Sequence, residues 1–132
     1  MIKVKLYRDF KEDKRTSIEV YANFLEEGIK RYNINNHNID FLSFNPNLLI
    51  SKQFSSNFKM RLARYIEYPL QIRKDCKTND INHIAEEGYA HLIRYPLLNQ
   101  RTIITVHDII PLLSWKGIIP NLSYDHRPWL AQ

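Results

Sequence analysis

The chain has 132 residues, of which 44% are hydrophobic and 25% are charged, a composition typical of one globular domain. Its single cysteine excludes a disulfide framework, and its three glycines are too few and too scattered for a glycine-rich phosphate loop. The formal net charge of +5 favours anionic partners such as nucleic acid, anionic lipid or phosphorylated ligands. No apolar run is long enough for a transmembrane helix and the first residues lack the apolar core of a signal peptide, so we expect a cytoplasmic protein.

The first third of the chain predicts a strand, a helix and a second strand. Residues 2–7 alternate between apolar and polar side chains, as a strand with one covered face does. After a charged loop, Thr16 and Glu19 form the Thr-x-x-Glu pattern that begins a helix. A second strand is predicted over 39–44. The predicted helix has apolar residues at helical spacing, which are Ile18, Tyr21, Leu25, Ile29 and Tyr32.

The remaining chain continues the alternation. Residues 57–75 predict a second helix that Pro69 should kink or split. A third strand is expected over 80–85, one or two helical turns over 89–95, and a strand buried on both faces over 101–106. The apolar face of the second helix is predicted to consist of Leu62, Tyr65, Ile66, Leu70 and Ile72.

Strands that alternate with helices predict right-handed βαβ units and a mostly parallel sheet. We therefore expect a single α/β domain of the Rossmann-like type over 1–132, with helices flanking the sheet. Four strands make a narrow sheet, and prolines interrupt the segment 114–132, which reads as a truncated or irregular C-terminal segment. The chain is accordingly expected to be part of a longer protein.

Polar side chains follow the predicted strands at the points where they end. In an open parallel sheet, ligands bind outside the carboxyl ends of the strands, so this edge is the predicted binding site. Adjacent Glu86 and Glu87 should point in different directions and are not expected to form an acid/base pair. The polar residues are Arg8 and Asp9 after the first strand, Asn45 after the second, His83, Glu86, Glu87 and Gly88 in and after the third, and His107 and Asp108 after the fourth.

The pair His107 and Asp108 stands between two apolar runs, where unpartnered polar groups are costly. One interpretation is functional: His107 acts as a hydrogen-bond donor, general base or phosphate clamp, while Asp108 orients it or binds a sugar hydroxyl. The other is structural: Asp108 caps the following turn and His107 bonds a buried carbonyl.

Two further features have alternative interpretations. The first turn of the first helix, with Arg15, Thr16 and Ser17, either binds a phosphate or is an ordinary capped helix end. His83 and His91 lack the spacing of a helical metal-binding pair, so no metal site is predicted.

Basic and aromatic residues interleave over 54–77, as in a helix that lies on an anionic membrane, although a solvated basic face has the same pattern. No recognised motif for nucleic-acid binding accompanies them, so nucleic acid is not the expected partner.

Two segments resemble a known family. Residues 80–84 read DINHI, and residues 101–113 read RTIITVHDIIPLL, which is similar to the Thr-Val-His-Asp-Leu-Ile-Pro-Leu segment of the family-4 glycosyltransferases with the GT-B fold. The likeness, which also includes the first strand and the helix opening at Thr16, places the chain in the N-terminal half of such an enzyme.

The resemblance implies a retaining glycosyltransferase of two Rossmann-like halves with the active site between them. The N-terminal half would bind a sugar or lipid-linked acceptor, and the C-terminal half most of the nucleotide-sugar donor, a co-substrate, with no resident cofactor. Catalytic roles would fall to His107 and Asp108, and the donor phosphates would approach Arg15, Thr16 and Ser17. Acceptor contacts are expected from His83, Glu86, Glu87, Gly88, Tyr89 and Asn45.

Two departures from the family accompany the resemblance. The loop before the first helix lacks the Gly-Gly pair that many members have, and the paired glutamates of the C-terminal half are absent. The 132 residues alone should therefore not transfer sugar, and contact with the inner face of a membrane is expected at 54–77. The alternatives are a non-catalytic α/β interaction domain and, with less support, a nucleic-acid-binding domain.

Overall fold

A computed structural model describes residues 1–33, 38–108 and 110–118, in which four parallel strands form one sheet. The strands are β1 (Ile2–Tyr7), β2 (Ile39–Phe44), β3 (Ile81–Ile84) and β4 (Thr102–Ile104). Their order is β2-β1-β3-β4, and every neighbouring pair is parallel. The predicted Rossmann-like α/β class is confirmed.

Helices cover both faces of this sheet. They are α1 (Thr16–Asn33), α2 (Ser56–Leu62), α3 (Tyr68–Ile72) and α4 (Ile110–Trp115), with a π-helical turn at Ala63–Glu67 between α2 and α3. Short 3-10 turns lie at Lys11–Asp13, Ile50–Gln53, Asp75–Thr78 and Glu87–Ile93. None of the helices in the described ranges is long and apolar enough to cross a membrane.

The start of α1 differs by one residue from the prediction. The carbonyl of Arg15 accepts hydrogen bonds from the backbone N–H groups of Ile18 and Glu19, at 3.1 and 3.2 Å. An N-cap residue is the one whose carbonyl accepts the first intrahelical bond. Arg15 therefore occupies the N-cap position that the Thr-x-x-Glu pattern predicted for Thr16. Only the carbonyl of Arg15 takes part in this cap, so its side chain is free to form other contacts.

Successive residues of β1 belong to two separate hydrophobic cores, because side chains alternate between the two faces of a strand. Leu6 packs beneath α1 with Ile18, Ala22 and Ala85. Its neighbour Tyr7 points to the opposite face, into a larger cluster under α2 and α3. That cluster includes Phe10, Leu48, Ala63, Tyr68, Ile72, Ile84, Tyr89 and Leu92.

The prediction of the apolar face of the second helix is wrong for its central residues. Tyr65, Ile66 and Leu70 are 40 to 55% exposed, whereas Ala63 and Glu67 are buried. The π-helical turn explains the difference, since its wider hydrogen-bonding pattern rotates the following residues relative to a regular helix. The predicted interruption of the helix is confirmed, with Pro69 in the first turn of α3.

The prediction that the fourth strand is buried on both faces is also wrong. In the described residues β4 pairs with β3 alone and so forms an edge of the sheet. Ile103 at its centre is 51% exposed. A continuous β-branched run thus reflects strand propensity here and not double-sided burial. Of the segment 114–132, residues 119–132 lie outside the described part of the chain.

A buried amide ties the central strands together. Asn82 on β3 is fully buried and its Oδ1 accepts hydrogen bonds from the Tyr7 hydroxyl and from Asn79 Nδ2, both at 3.0 Å. Its Nδ2 donates to the carbonyl of Cys76 at 3.2 Å. This side chain satisfies polar groups of β1 and of the chain before β3 within an otherwise apolar core.

We expect Asn82→Ala to destabilise the fold by about 2–4 kcal/mol, because it leaves the Cys76 carbonyl buried without a donor and opens a cavity. Tyr7→Phe, which removes one hydroxyl and leaves Asn82 bonded to Asn79, should cost about 1 kcal/mol. Urea denaturation measures both changes. Equal losses in the two variants would contradict the central role of the amide.

Candidate functional site

The strand order creates a crevice between the ends of β1 and β3. From β1 the chain passes through α1 to β2 on one side, whereas β3 lies on the other side of β1. The segments that leave β1 and β3 therefore diverge to opposite faces of the sheet. Ligands of open α/β proteins bind at this kind of switch point, outside the carboxyl ends of the strands.

A small pocket occupies this crevice, which we call the carboxylate pocket. Its volume of about 30 Å³ holds one or two water-sized groups, so a larger ligand would insert one polar end and leave the remainder outside. It is lined by the segment after β1, the start of α1 and the ends of β2 and β3, with Arg8, Asp9, Phe10, Lys11, Arg15, Ile18, Glu19, Ala22, Asn45 and Ala85.

Two carboxylates share one guanidinium at this pocket. Arg15 forms an ion pair with Glu86 Oε1, and its Nη1 lies 4.0 Å from Asp9 Oδ2. The side chains of Asp9 and Glu86 are only 10% and 7% exposed. Both oxygens of Asp9, and Oε2 of Glu86, are buried with no hydrogen-bond partner among the described residues. The single guanidinium of Arg15 thus lies beside two buried carboxylates.

This imbalance changes the titration of both acids. Burial and, to a lesser extent, the neighbouring Glu86 carboxylate raise the pKa of Asp9 to about 7, against the opposing effect of Arg15. Burial likewise raises the pKa of Glu86 above its ordinary value. Asp9 can therefore exchange a proton near neutral pH, which suits a group that binds or deprotonates a hydroxyl.

Gly88 makes room for the Glu86 carboxylate. A Cβ added to this glycine would lie 2.5 Å from Glu86 Oε2, closer than real contacts permit. The absence of a side chain here therefore allows the buried acid its position beside Arg15. The close approach that this glycine permits is to a protein carboxylate.

A second group of side chains, which we call the histidine row, lies on the α1 face next to the pocket. His83 Nε2 and the Tyr21 hydroxyl each share a hydrogen bond with Thr105 Oγ1, at 2.8 and 2.9 Å. The Tyr21 ring meets the His107 ring edge-on, with centroids 4.7 Å apart. Burial lowers the pKa of His83, which keeps this imidazole neutral at physiological pH.

His107 and Asp108 make the contacts of the structural interpretation. Nε2 of His107 is 2.9 Å from the carbonyl of Ala85, to which it donates, and Asp108 Oδ1 accepts from the N–H of Ile110 at 2.7 Å. Because a carbonyl only accepts, Nε2 carries the proton and Nδ1 of the neutral ring is an acceptor. Both residues are nevertheless exposed, so they remain accessible at the edge of the sheet.

The two neighbouring glutamates diverge as expected. Glu86 turns to Arg15, whereas Glu87 Oε2 accepts a hydrogen bond from the backbone N–H of His107 at 3.1 Å. Asn45 and Arg15 line the carboxylate pocket, and Thr16 and Ser17 are exposed on the first turn of α1.

Tyr89 and His91 lie apart from this group. Tyr89 is 2% exposed in the larger core, where its hydroxyl donates to the carboxylate of Asp13. His91 lies on the same side, with Nε2 at 2.9 Å from the carbonyl of Arg64, whereas His83 is on the α1 face. The described residues contain no cluster of three or more metal-binding side chains.

Asp9 was predicted to lie at the carboxyl edge of the sheet but was given no catalytic or binding role. Its place directly after β1 was evident from the sequence, but nothing in the sequence distinguished it from the other charges of the segment 8–15. The signal available was position alone: the residue follows the central strand of a parallel sheet at its carboxyl end.

Comparison with models of known protein families, with curated proteins and with solved structures finds no match for this chain. The function must therefore be argued from the fold and from the site itself.

We expect Asp9→Asn to stabilise the protein above about pH 7, because the amide keeps the shape of the side chain without the buried charge. The native pKa of about 7 exceeds the ordinary 3.8, so the native state binds the proton more tightly. The contribution of Asp9 to stability is then full below about pH 4 and is lost as the pH rises to 7, by at most roughly 4 kcal/mol.

Urea denaturation of both proteins across this pH range measures the effect. The free energy of unfolding of Asp9→Asn should increase relative to that of the wild type as the pH rises from 4 to 7. Glu27→Gln, which removes an exposed carboxylate of α1, should show no such increase. A difference between wild type and Asp9→Asn that is independent of pH would contradict the buried charge.

Proposed function

We propose that this chain is the acceptor-binding domain of a retaining, nucleotide-sugar-dependent glycosyltransferase, acting together with a donor-binding half. The observation that carries the proposal is the carboxylate pocket at the β1/β3 crevice, where carboxylate, guanidinium and amide groups of Asp9, Arg15 and Asn45 converge. Such groups bind sugar hydroxyls, because each hydroxyl both donates and accepts hydrogen bonds. The resemblance of residues 101–113 to the family-4 enzymes supports the same conclusion.

In this proposal the acceptor sugar inserts one polar end into the pocket, and His107 contacts the remainder from the side. Nε2 of His107 is held by the Ala85 carbonyl, and Ala85 lines the pocket. The Nδ1 atom is then the acceptor for a hydroxyl of the sugar. Since Arg15 is engaged with Glu86, the donor phosphates would meet the first turn of α1 at Thr16 and Ser17, where backbone N–H groups favour anions.

A titration of the ¹⁵N-labelled chain with mono- and disaccharides tests the proposal. We expect chemical-shift changes confined to residues 8–11, 45, 85–88 and 105–107, and a roughly tenfold weaker affinity in His107→Ala, which loses one hydrogen bond to the ligand. Phe24→Ala, on the exposed face of α1, is the control and should bind as the wild type does. The chain should transfer sugar only when a donor-binding half is supplied.

Two outcomes would contradict this function. One is the absence of saccharide binding at the carboxyl edge of the sheet. The other is transfer from a nucleotide-sugar by the 132 residues alone, at rates typical of enzymes, since that would require a donor site within this chain.

The contacts of His107 and Asp108 also favour a second candidate, a non-catalytic α/β interaction domain. In the described structure each side chain has a backbone partner, as residues with a purely structural role do. A homogeneous oligomer in light scattering, combined with saccharide binding that never leads to transfer when the donor-binding half is present, would favour this candidate.

We further propose that the segment 54–77 rests on an anionic membrane at the inner face of the cell. An apolar groove of about 350 Å³ runs between the Ile50–Gln53 turn and the helices α2 and α3. The segment 54–77 also carries exposed basic side chains, namely Arg61, Arg73, Lys74 and Lys77. Apolar surface and basic charge on one segment are the combination that binds anionic lipid surfaces.

Sedimentation with vesicles tests the membrane contact. We expect binding to vesicles rich in phosphatidylglycerol and not to pure phosphatidylcholine, with weaker binding at high salt because the basic charges of the segment 54–77 are screened. Ile66→Ser should reduce binding several-fold, because it removes apolar area from the groove. Val20→Ser, at a similarly exposed position of α1, is the control. Equal loss in both variants would contradict the proposal.

A further inference from the structure

A second polar pocket adjoins the carboxylate pocket, and we call it the lysine pocket. Its volume is about 180 Å³, against about 30 Å³ for the carboxylate pocket. The Lys11–Asp13 turn and the chain that leaves β2 supply its lining, and the polar side chains among them are Lys11, Glu12, Asn45, Asn47 and Lys52. Because Lys11 and Asn45 line both pockets, one ligand can occupy both.

The two lysines of this pocket have no counter-ion within the described ranges. Neither ammonium group forms an ion pair or a hydrogen bond there, whereas Arg15 of the adjoining pocket is engaged with Glu86. Glu12 also lines the lysine pocket but is not paired with either lysine in the described structure. The lining therefore carries two positive charges and one negative charge. An anion between the lysines would remove their mutual repulsion.

Both walls of the lysine pocket are held by contacts within the protein. The backbone N–H of Asn47 donates to Gln71 Oε1 at 3.1 Å, and the Asn47 carbonyl accepts from Gln71 Nε2 at 2.7 Å. The other wall, the Lys11–Asp13 turn, is anchored by the ion pair between Asp13 and Arg64. A site whose walls are already fixed loses less entropy when it binds a ligand.

The donors of the lysine pocket suit a phosphate group better than a carboxylate. Besides the two ammonium groups, the side-chain amides of Asn45 and Asn47 line the pocket. At neutral pH a phosphate monoester carries almost two negative charges and three strong acceptor oxygens, whereas a carboxylate has a single charge and one oxygen fewer. The volume of the pocket also admits a tetrahedral phosphate together with bound water.

We propose that the lysine pocket binds a phosphate group of the acceptor, held by the ammonium groups of Lys11 and Lys52. A phosphate in this position leaves the attached sugar beside Asn45, at the carboxylate pocket. Phosphate binding depends on the lysine pocket alone, but the assignment of the phosphate to an acceptor rests on the proposed function.

Two kinds of acceptor carry such a phosphate. One is a soluble sugar phosphate, and the other is a lipid phosphate whose chain lies in the apolar groove of α2 and α3. The groove adjoins the lysine pocket, because Gln71 lines the groove and is bonded to Asn47 of the pocket. The phosphate is common to both sources, and the chain attached to it distinguishes them.

Titration of the ¹⁵N-labelled whole chain with methyl phosphate tests the site. We expect chemical-shift changes centred on residues 11–12, 45–48 and 52, and at least tenfold weaker binding of acetate at equal ionic strength. Lys11→Gln and Lys52→Gln should each weaken the binding of methyl phosphate by about three- to tenfold, because each removes one charge-assisted hydrogen bond. Lys11→Arg keeps the charge and should bind nearly as the wild type does.

Lys3→Gln is the matched control. Lys3 is an exposed lysine at the amino end of β1, so this variant changes the net charge equally but leaves the pocket intact. Its affinity for methyl phosphate should equal that of the wild type. All four substituted side chains are solvent-accessible, so the variants are expected to fold, and their ¹⁵N spectra verify this. An equal loss of affinity in Lys3→Gln, an unchanged affinity in both pocket variants, or equal affinity for acetate and methyl phosphate overturns the inference.

The outcomes separate the inference from the proposed function. If saccharides bind at the carboxylate pocket but methyl phosphate does not bind, the inference fails and the proposed function stands. If methyl phosphate binds through Lys11 and Lys52 but no transfer occurs with a donor-binding half, the phosphate site stands and the glycosyltransferase function fails.

Glucose 1-phosphate and geranyl phosphate identify the source of the phosphate. Tighter binding of glucose 1-phosphate than of methyl phosphate, with shifts that extend to residues 8–10 and 85–88, supports a sugar phosphate. Tighter binding of geranyl phosphate, reduced several-fold in Ile66→Ser, supports a lipid phosphate. Failure of both to bind through Lys11 and Lys52 would overturn the inference.

Discussion

The single guanidinium of Arg15, placed between two buried carboxylates, is the interaction on which the carboxyl edge of this sheet depends. It joins the start of α1 to the segment after β3 through Glu86, and it is the nearest positive charge to Asp9. One cation cannot fully compensate two buried anions, so part of the electrostatic cost remains in the folded protein. That residual cost is concentrated at Asp9, whose two carboxylate oxygens are buried without a hydrogen-bond partner among the described residues. Unmet polar groups at a crevice are typical of binding sites, where the ligand completes the network.

The segment that carries Asp9 is held rigidly by its neighbours. The guanidinium of Arg8 donates to Glu26 of α1 at 2.7 Å, and the carbonyl of Arg8 accepts from the Tyr68 hydroxyl at 2.6 Å. Hydrogen bonds from Lys30, Ser43 and Arg8 lower the pKa of Glu26 to about 2, so this anchor stays charged at any physiological pH. Further along the chain, the carboxylate of Asp13 forms an ion pair with Arg64 and accepts a hydrogen bond from the Tyr89 hydroxyl.

These anchors explain why an unfavourable acid can persist at the end of β1. Contacts from both layers of helices hold Arg8 on one side of Asp9 and Asp13 on the other, which fixes the course of the backbone at the acid. A rigid segment also lowers the cost of ordering the site when a ligand binds. The contacts of Arg8 and Asp13 thus offset the unfavourable burial of the Asp9 carboxylate at the crevice where a ligand would bind.

The strands and the carboxyl edge were predictable from the sequence, whereas the partners at that edge were not. The predicted bounds of β1 and β2 are the observed ones, and Asn45 and His107 follow the ends of β2 and β4. The pairing of Arg15 with Glu86 joins distant parts of the chain, and no local pattern encodes it. Without that pair, Asp9 looks like any other charge in a polar loop, and its burial follows only from the packed structure. The exposed face of α2 and α3 was missed for a local reason, since the π-helical turn shifts the helical period that the prediction assumed.

The same π-helical turn connects the apolar groove with the pocket. On its inner side Arg64 pairs with Asp13, four residues beyond Asp9, and Glu67 accepts hydrogen bonds from Leu49 and Ser51 at the wall of the groove. On its outer side Ile66 lines the groove itself. Because the carboxylate of Glu67 is buried and bonded, the groove wall is fixed relative to the segment that carries Asp9. Under the proposed membrane contact, the carboxylate pocket would therefore keep a fixed position relative to the groove.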